Sequence, residues 1–336
     1  MTTGLRWGIV GTGYAKEFAK AMASLPGTRV VAVASRFKER ADDFGRQFGV
    51  RNCYGNVAAL AADPEVDVVY IASSPMEHAR HAIECLSRGK HVLIEKPFTI
   101  DAHEAEAVYA MARRTRMFCM EALWSRFLPA TRQIASWLEE GRIGVVRQVI
   151  ADFGFCEPWD PTKRHFAMDK RGGCLLDVGV YSLAFARMAF GCAPESVLAQ
   201  ALLCETGVDE QTAMVLKYPG GGLGLLSCAS RTQTPHRGSI IGTLGRIDVE
   251  GFVWAHGATL LRKGKEPLVV EPKIPLPASC YQAMETMRCI GLGLTESPLL
   301  PAEEVLERMR TMDDVRRQIG VVYPPSTMDR GQSSVQ

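Results

Sequence analysis

A lysine, an aspartate and a tyrosine stand in this sequence where they could exchange a proton with an alcohol or a carbonyl. Lys96 lies in Glu95-Lys-Pro97, directly after a predicted buried strand, and Asp177 and Tyr181 follow Gly172-Gly173. Because residues four apart share a helix face, we expect Asp177 and Tyr181 to point the same way. An ammonium near a phenol favours proton exchange with a hydroxyl group. The pattern predicts Lys96, Asp177 and Tyr181 as catalytic residues; the alternative is that Lys96 is an ordinary surface lysine.

A glycine loop predicts a dinucleotide site. Gly11-Thr12-Gly13, followed by Tyr14, lies between the first predicted strand and the first predicted helix. Glycines there allow a tight turn and the close approach of a pyrophosphate to the helix N-terminus. Lys16 stands where the usual fingerprint has a third small residue, so the local helix–strand packing is left open. The alternative is a strand–helix turn that binds nothing.

The end of the second predicted strand bears on the choice between NAD and NADP. NAD enzymes usually place Asp or Glu there, to hold the ribose 2′-hydroxyl. Here the strand ends in Ala34-Ser35-Arg36, and the first carboxylate is Glu39. Ser35 can donate to a 2′-phosphate, and Arg36 can pair with that phosphate while stacking on adenine. We therefore expect NADP as the cofactor; the alternative is a solvated, basic start of a helix.

The first part of the chain alternates short apolar runs with helical stretches. Predicted strands at 6–11, 28–35, 66–72, 91–95 and 117–121 are joined by predicted helices at 14–24, 37–48, 76–88 and 102–114. Strands of this kind, joined by helices, predict a parallel sheet covered on both faces. Right-handed crossovers make it a doubly wound Rossmann sheet. We assign residues 1–121 to this α/β domain.

The second part of the chain predicts an α+β domain over residues 122–336, with a large and mostly antiparallel open sheet. Strand-like runs lie at 145–155, 196–203, 212–218, 222–230, 237–242, 245–250, 258–262 and 267–270, and helices at 129–140, 180–190 and 302–319. Short connections at Tyr218-Pro-Gly-Gly and Thr243-Leu-Gly predict hairpins. The tail after Pro324 is polar, and we expect it to be loose.

Composition excludes several classes of protein. The formal net charge of the 336 residues is +2, which predicts no nucleic-acid partner. Apolar runs are expected to be shorter than a membrane span, and no leader precedes the first strand, so we expect a cytoplasmic protein. The ten cysteines are scattered and form no C-x-x-C pair, which predicts neither disulfides nor a zinc site. His78 and His81 could share a helix face, but we predict no metal there.

Together these motifs resemble the glucose–fructose oxidoreductase, inositol dehydrogenase and MocA family. The resemblance rests on the G-x-G loop, on E-K-P and on G-G-x-x-x-D-x-G-x-Y, and it runs over nearly the whole chain. The longer stretches 120–129, 205–210 and Tyr218-Pro-Gly look most like the branch of dimeric dihydrodiol dehydrogenases, also called NADP D-xylose 1-dehydrogenases. Inositol dehydrogenases of the family carry a histidine near the position of Tyr181, and the tyrosine here favours the dihydrodiol and glucose–fructose branch.

The resemblance implies roles for residues. Lys96 and Tyr181 would form an acid/base pair that meets beside the nicotinamide, and Asp177 would hold the substrate. Cofactor contacts would come from Gly11, Thr12, Gly13, Tyr14, Ser35, Arg36, Ser74, Pro75, His78, Glu95 and Lys96. Trp124, Arg126, Phe153 and Trp254 are predicted pocket residues, with core packing as the alternative for the aromatic side chains. Lys163, Arg164 and His165 lie in the loop before Gly172, where they could overhang the pocket, but we favour a solvated loop.

The expected activity is hydride transfer between NADP(H) and a sugar or cyclic-diol carbinol, in a homodimer formed through the open face of the second sheet. A keto-sugar reductase acting on anhydrofructose or on a nucleotide-linked 3-ketosugar uses the same residues. Two further hypotheses are an enzyme that oxidises one sugar and reduces another on a tightly held cofactor, and a non-catalytic, nucleotide-sensing regulator. The substrate itself cannot be identified from the sequence.

Overall fold

The computed structural model describes residues 4–324. They form two compact units, which comprise residues 4–124 with Pro275–Val305, and Ser125–Ile274 with residues 306–324. The division expected from the sequence, after residue 121, did not include the return of the chain to the first unit at Pro275. The tail that we expected to be loose lies outside the described residues.

The first unit contains a parallel sheet of six strands. They are β1 (Arg6–Val10), β2 (Arg29–Ala34), β3 (Asn52–Tyr54), β4 (Val68–Ile71), β5 (His91–Glu95) and β6 (Cys119–Ala122). Their order is β3-β2-β1-β4-β5-β6, and every pairing is parallel. This is the doubly wound Rossmann order, which confirms the predicted fold class. The order reverses between β1 and β4, so the carboxyl ends of these strands flank the crevice where such sheets bind ligands.

Helices connect the strands of both units. They are α1 (Ala15–Ala23), α2 (Lys38–Phe48), α3 (Val57–Ala62), α4 (His78–Ser87), α5 (Ala102–Thr115), α6 (Pro129–Glu139), α7 (Val180–Phe190), α8 (Ala278–Gly291) and α9 (Ala302–Ile319). The sequence-based prediction missed β3, α3 and α8. The first two are short, with three and six residues. The third belongs to the first unit, where the thiol of Cys280 donates to the carbonyl oxygen of Ala21 in α1 at 3.3 Å.

The second unit contains the predicted open sheet, with eight strands. They are β7 (Val146–Gly154), β8 (Ser196–Leu203), β9 (Asp209–Lys217), β10 (Leu223–Ala229), β11 (Gly238–Gly242), β12 (Gly245–Val249), β13 (Ala258–Arg262) and β14 (Leu268–Val270). Their order is β14-β13-β12-β11-β7-β10-β9-β8, and only the β7–β10 pair is parallel. The two predicted hairpins join β9 to β10 and β11 to β12, as expected.

One apolar segment is longer than the sequence analysis expected. Met168–Phe190 has the length and the mean hydropathy, 1.4, of a membrane-spanning helix, so the expectation that every apolar run is too short was wrong. In the structure 83% of its apolar window is buried inside the protein. A core helix that is apolar on all sides has this composition, because it is packed all round.

Candidate active site

The glycine loop after β1 has the geometry of a phosphate cradle. Gly11 has φ +98°, and a Cβ there would lie 2.4 Å from the carbonyl oxygen of Ala72. The fold itself therefore requires glycine at this position. A Cβ at Gly13 would meet no protein atom within 4 Å, so packing does not explain this second glycine. Tyr14 at the N-cap makes no side-chain cap, and the positive end of the α1 dipole at this point suits an anion. The residues present fit a pyrophosphate.

The end of β2 carries positive charge and no carboxylate. Arg36 is exposed, and its guanidinium carbon lies 5.0 Å from the ring centroid of Phe37. Arg40 lies over the same ring at 4.9 Å. Ser35 Oγ accepts a long hydrogen bond of 3.4 Å from the backbone N–H of Phe37. This strand end therefore offers two guanidinium groups and a hydroxyl group, which can donate to a nucleotide phosphate.

Two further loops of the first unit were predicted to bind the cofactor. Ser74 precedes a short 3₁₀ turn, Pro75–Glu77, and His78 then begins α4. His78 is buried, with Nδ1 3.0 Å from the carbonyl oxygen of Pro97 and Nε2 3.2 Å from that of Ser73. These contacts account for its burial within the first unit, and its predicted contact with the nicotinamide half stays a prediction.

The E-K-P segment follows β5 at the carboxyl edge of the sheet. The Lys96–Pro97 peptide bond is cis. Glu95 accepts hydrogen bonds from the Tyr70 hydroxyl and, at 3.2 Å, from the backbone N–H of Lys96. Burial raises the pKa of the Glu95 carboxyl, while the Tyr70 hydrogen bond and the nearby Lys96 ammonium oppose the rise. Glu95 therefore connects the start of this loop to Tyr70 in β4.

In the second unit Asp177 lies in a helical turn that is wider than a regular α-helical turn. Leu175–Gly179 is a π-helical segment, and α7 starts directly after it. The expectation of a regular helical turn between Asp177 and Tyr181 is therefore corrected. A π segment inserts an extra residue in a helical turn and is often found at functional sites. Both side chains are buried, with residue exposures of 6% for Asp177 and 5% for Tyr181.

Basic side chains hold the Asp177 carboxylate. Arg164 Nη2 donates to Oδ1 at 3.0 Å, and His165 Nδ1 lies 3.0 Å from Oδ2. The preference for a solvated loop was wrong for Arg164 and His165, because both side chains are partly buried against the carboxylate. Sequence reasoning did not pair them with Asp177, since they lie 13 and 12 residues before it. These two contacts fix the orientation of the Asp177 carboxylate.

Aromatic rings surround Tyr181 within the second unit. Phe153 stands edge-on to Tyr181, with centroids 5.6 Å apart, and edge-on to Trp254 at 5.4 Å. Both Phe153 and Trp254 were predicted pocket residues, and the structure brings them together with Tyr181. His236, which the prediction missed, lies 4.9 Å from the Phe153 centroid. Trp254 is 40% exposed, so this cluster has an open side.

Trp124 and Arg126 were also predicted to line the pocket. Both lie in the short 3₁₀ turn Trp124–Phe127, after β6, and both are half-buried. Phe127, in the same turn, is buried. Contact of Trp124 and Arg126 with substrate stays a prediction.

The histidines and cysteines bear on the prediction that no metal binds. His81 Nδ1 lies 2.9 Å from Ser73 Oγ and its Nε2 lies 2.9 Å from Arg80 Nη2, which leaves the ring engaged by protein groups. The ligand atoms of Cys174, Asp209 and Cys228, which are scattered in the sequence, lie within 4.8 Å of one another, and the absence of a metal stays a prediction. No sequence spacing indicates this cluster, since its members are 19 to 54 residues apart.

Comparisons with known proteins agree with the fold and the motifs. Residues 5–123 match the Gfo/Idh/MocA "Oxidoreductase family, NAD-binding Rossmann fold", and residues 131–248 match the "GFO/IDH/MocA C-terminal domain". The chain is 36% identical over 330 residues to trans-1,2-dihydrobenzene-1,2-diol dehydrogenase of Mus musculus, covering 95% of this chain and 98% of that protein. The Danio rerio protein of the same name is also 36% identical, over 332 residues.

Solved structures of an oxidoreductase and of a ketoreductase share the fold. The aldose-aldose oxidoreductase of Caulobacter crescentus superposes with a TM-score of 0.85 at 24% identity, over 94% of this chain and 97% of that one. A 3-ketoreductase from Actinomadura kijaniata, solved with NADP and TDP-benzene, gives a TM-score of 0.81 at 27% identity, over 96% and 100%.

The similar proteins distinguish between the two functional classes that the sequence left open, an enzyme and a non-catalytic regulator. Dehydrogenases matched over almost their whole length exclude the non-catalytic regulator, so the chain is an enzyme. Its first unit is of the NAD(P)-binding Rossmann type. The protein therefore belongs to the Gfo/Idh/MocA family of oxidoreductases.

Proposed function

We propose that this enzyme catalyses NADP(H)-dependent hydride transfer at a sugar or cyclic-diol carbinol, like a trans-dihydrodiol or D-xylose dehydrogenase. The observation that carries the proposal is the environment of Tyr181. Its phenol follows Asp177 by four residues and stands edge-on to Phe153, in a chain 36% identical to a dihydrodiol dehydrogenase. A phenol exchanges protons with a hydroxyl group, and aromatic walls suit the apolar face of a ring.

Each functional residue has one task in this proposal. Bound NADP(H) supplies or accepts the hydride. Tyr181 accepts the substrate hydroxyl proton in oxidation and returns it in reduction, and the Lys96 ammonium favours the ionised phenol. Asp177, held by Arg164 and His165, accepts a hydrogen bond from a substrate hydroxyl and so orients the carbinol.

The preference for NADP over NAD is supported by the end of β2. Arg36 and Arg40 flank Phe37, and no carboxylate follows until Glu39. The 3-ketoreductase at 27% identity was solved with NADP. We propose that Arg36 and Ser35 bind the 2′-phosphate, because guanidinium and hydroxyl donors suit a dianion.

A second candidate function is keto-sugar reduction. It is favoured by the same 3-ketoreductase, which was solved with TDP-benzene. The residues assigned above serve either direction, since proton exchange at Tyr181 is reversible. The substrate, and not the residue roles, separates the two functions.

A panel of substrates tests both functions. We would follow NADPH at 340 nm with trans-dihydrodiols, D-xylose and D-glucose in oxidation, and with keto-sugars in reduction, at matched pH. Saturable oxidation of a diol or an aldose supports the first function, and turnover confined to keto-sugars supports the second. Absence of turnover with every member of both sets would contradict the proposal.

We also propose that the enzyme is a homodimer. One row of apolar side chains crosses four strands on the outer face of the second sheet, where Leu198 pairs with Val215, Val215 with Leu225, and Leu225 with Ile150. Leu198 is 71% exposed and Val215 43%. An apolar row of this length on a sheet face is typical of an interaction surface, and a second copy offers a matching apolar row.

Sedimentation velocity tests the dimer. The wild-type chain should sediment as a dimer, and Leu198→Glu with Val215→Lys should shift it to a monomer of unchanged thermal stability. Leu244→Glu, an exposed leucine in the β11–β12 hairpin outside the row, is the control and should remain dimeric. A monomeric wild-type chain would overturn the proposal.

We finally propose a cytoplasmic location. All ten cysteines, which lie within the described residues, are unpaired. Cys174 and Cys228 remain thiols although their sulfur atoms are 3.5 Å apart. Free thiols persist in a reducing compartment. Cell fractionation tests the location, and recovery of the protein outside the cytosolic fraction would contradict it.

A further inference from the structure

A buried carboxylate of the second unit has no role in the proposed reaction. Asp209 is the first residue of β9 and has an exposed fraction of 0%. It lies in the stretch Glu205-Thr-Gly-Val-Asp-Glu210, one of the stretches that marks the family resemblance. A carboxylate is costly to bury, so a buried one needs compensating hydrogen bonds.

One oxygen of Asp209 receives three hydrogen bonds. The backbone N–H of Leu175 donates to Oδ2 at 2.8 Å, and the Cys174 thiol and the Thr212 hydroxyl each donate at 3.0 Å. Leu175 is the first residue of the π segment that contains Asp177. Asp209 thus caps the start of this helix from 34 residues away, since no local side chain caps it.

The glycine at 173 makes room for this carboxylate. Its φ is +117°, and a Cβ there would lie 2.1 Å from Asp209 Oδ1. Oδ1 itself accepts no hydrogen bond within residues 4–324. The second glycine of the G-G motif is therefore required by Asp209, and the two motifs form one structural unit.

We propose that Asp209 is a positioning residue for catalysis. Its Oδ2 fixes the peptide N–H of Leu175 and, through the π segment, the placement of Asp177 and Tyr181. The role is that of a hydrogen-bond acceptor at the helix start, where a negative charge is also favourable. The inference rests on the proposed function, because it assigns Asp209 to the residues that exchange the proton.

Two substitutions separate the acceptor role from other roles. Asp209→Asn keeps an oxygen for the Leu175 N–H, because all three donors converge on one oxygen and the amide nitrogen can take the place of Oδ1. Asp209→Ala removes the acceptor. We expect Ala to lower kcat about 10- to 100-fold, the usual cost of misplacing a catalytic group by about 1 Å, with the Kd of NADPH within about threefold of wild type. Asn should restore kcat to within about threefold of wild type.

A readout besides turnover comes from hydrogen exchange. The amide protons of the segment 174–181 should exchange faster in Asp209→Ala than in wild type, and at the wild-type rate in Asp209→Asn. Asp248→Asn is the matched control, since this carboxylate accepts from Ser239 at 2.8 Å in the same sheet. We expect wild-type kinetics and exchange for this control.

Each outcome decides the proposal. A folded Asp209→Ala enzyme with wild-type kcat overturns it. An Asp209→Asn variant whose kcat is as low as that of Asp209→Ala also overturns it. Stoichiometric zinc that is present in the wild type and lost from both variants would instead assign a metal to Cys174, Asp209 and Cys228. If Asp209→Ala does not fold, Gly173→Ala replaces it in the test, because the added Cβ displaces Oδ1 of Asp209. A wild-type kcat for Gly173→Ala contradicts the proposal. If wild type itself turns over no substrate, the proposed function fails, while the exchange rates still decide the role of Asp209.

Discussion

The imidazole of His78 lies with its Nδ1 3.0 Å from the carbonyl oxygen of Pro97. Its Nε2 lies 3.2 Å from the carbonyl oxygen of Ser73. The ring therefore bridges the loop after β4 and the loop after β5, which are the two loops predicted to hold the nicotinamide half. A buried ring in this place ties Lys96, the residue next to Pro97, to the body of the first unit.

We predict that His78→Leu destabilises the protein. The carbonyl oxygen that accepts from the single N–H of the neutral ring, that of Pro97 or that of Ser73, would lose its donor in a buried place. That loss costs about 1–3 kcal/mol of unfolding free energy. Urea unfolding followed by circular dichroism measures the loss. His103→Leu, on the exposed side of α5 in the same unit, is the control and should unfold like wild type. An unchanged midpoint for His78→Leu would show that the bridge is not stabilising.

We predict that Tyr181→Phe and Lys96→Met each abolish most turnover. Removing a general acid or base lowers the rate about 10²- to 10⁴-fold. Both variants should still bind NADPH, as measured by fluorescence titration, because the G-x-G loop and β2 are untouched. Phe127→Leu, a conservative change in the buried core, serves as the control for packing effects. Near-full activity of either catalytic variant with a good substrate would refute its role.

Substituting Arg36 should change the preference between the two cofactors. Without its guanidinium, kcat/KM for NADP should fall about 10- to 100-fold, the value of one to two charge-assisted hydrogen bonds. The value for NAD, which has no 2′-phosphate, should change little. Kinetics of Arg36→Ala with both cofactors measure the difference, and Arg46→Ala on the exposed face of α2 is the control. Equal losses for NADP and NAD would mean that Arg36 does not recognise the phosphate.

His81 should make the protein less stable in mild acid. Burial, with a smaller contribution from the Arg80 guanidinium, lowers the pKa of His81 from 6.5 to about 4. Between these two values the unfolded chain binds a proton that the folded chain does not, so the unfolding free energy falls as the pH decreases from 6.5 towards 4. The total loss from this residue is at most about 3 kcal/mol.

The His81→Gln variant isolates this contribution. Urea unfolding at pH 7.5, 6.0 and 5.0 should give a shallower pH dependence for the variant than for wild type. Other groups titrate in both proteins and cancel in the difference. Parallel curves for the two proteins would show that His81 keeps its ordinary pKa in the folded state.

The sequence by itself determined the class of fold and the first binding motif. Apolar runs alternating with helical stretches are set by local periodicity, so the parallel sheet, the hairpins and the last helix could be predicted from the chain. The positions of Gly11, Arg36 and Lys96 follow too, because each comes directly after a strand and the carboxyl ends of parallel strands share one edge. The short β3 and α3 were missed because three to six residues carry too little periodicity to recognise.

The tertiary structure alone decided which distant residues meet. Asp177 is held by a loop that sequence reasoning regarded as solvated, and the start of its helix is capped by Asp209, which lies 32 residues beyond it in the chain. The π segment likewise replaced an expected regular turn. Long-range hydrogen bonds to buried carboxylates depend on how strands and loops pack, and packing leaves no periodic signal in the sequence.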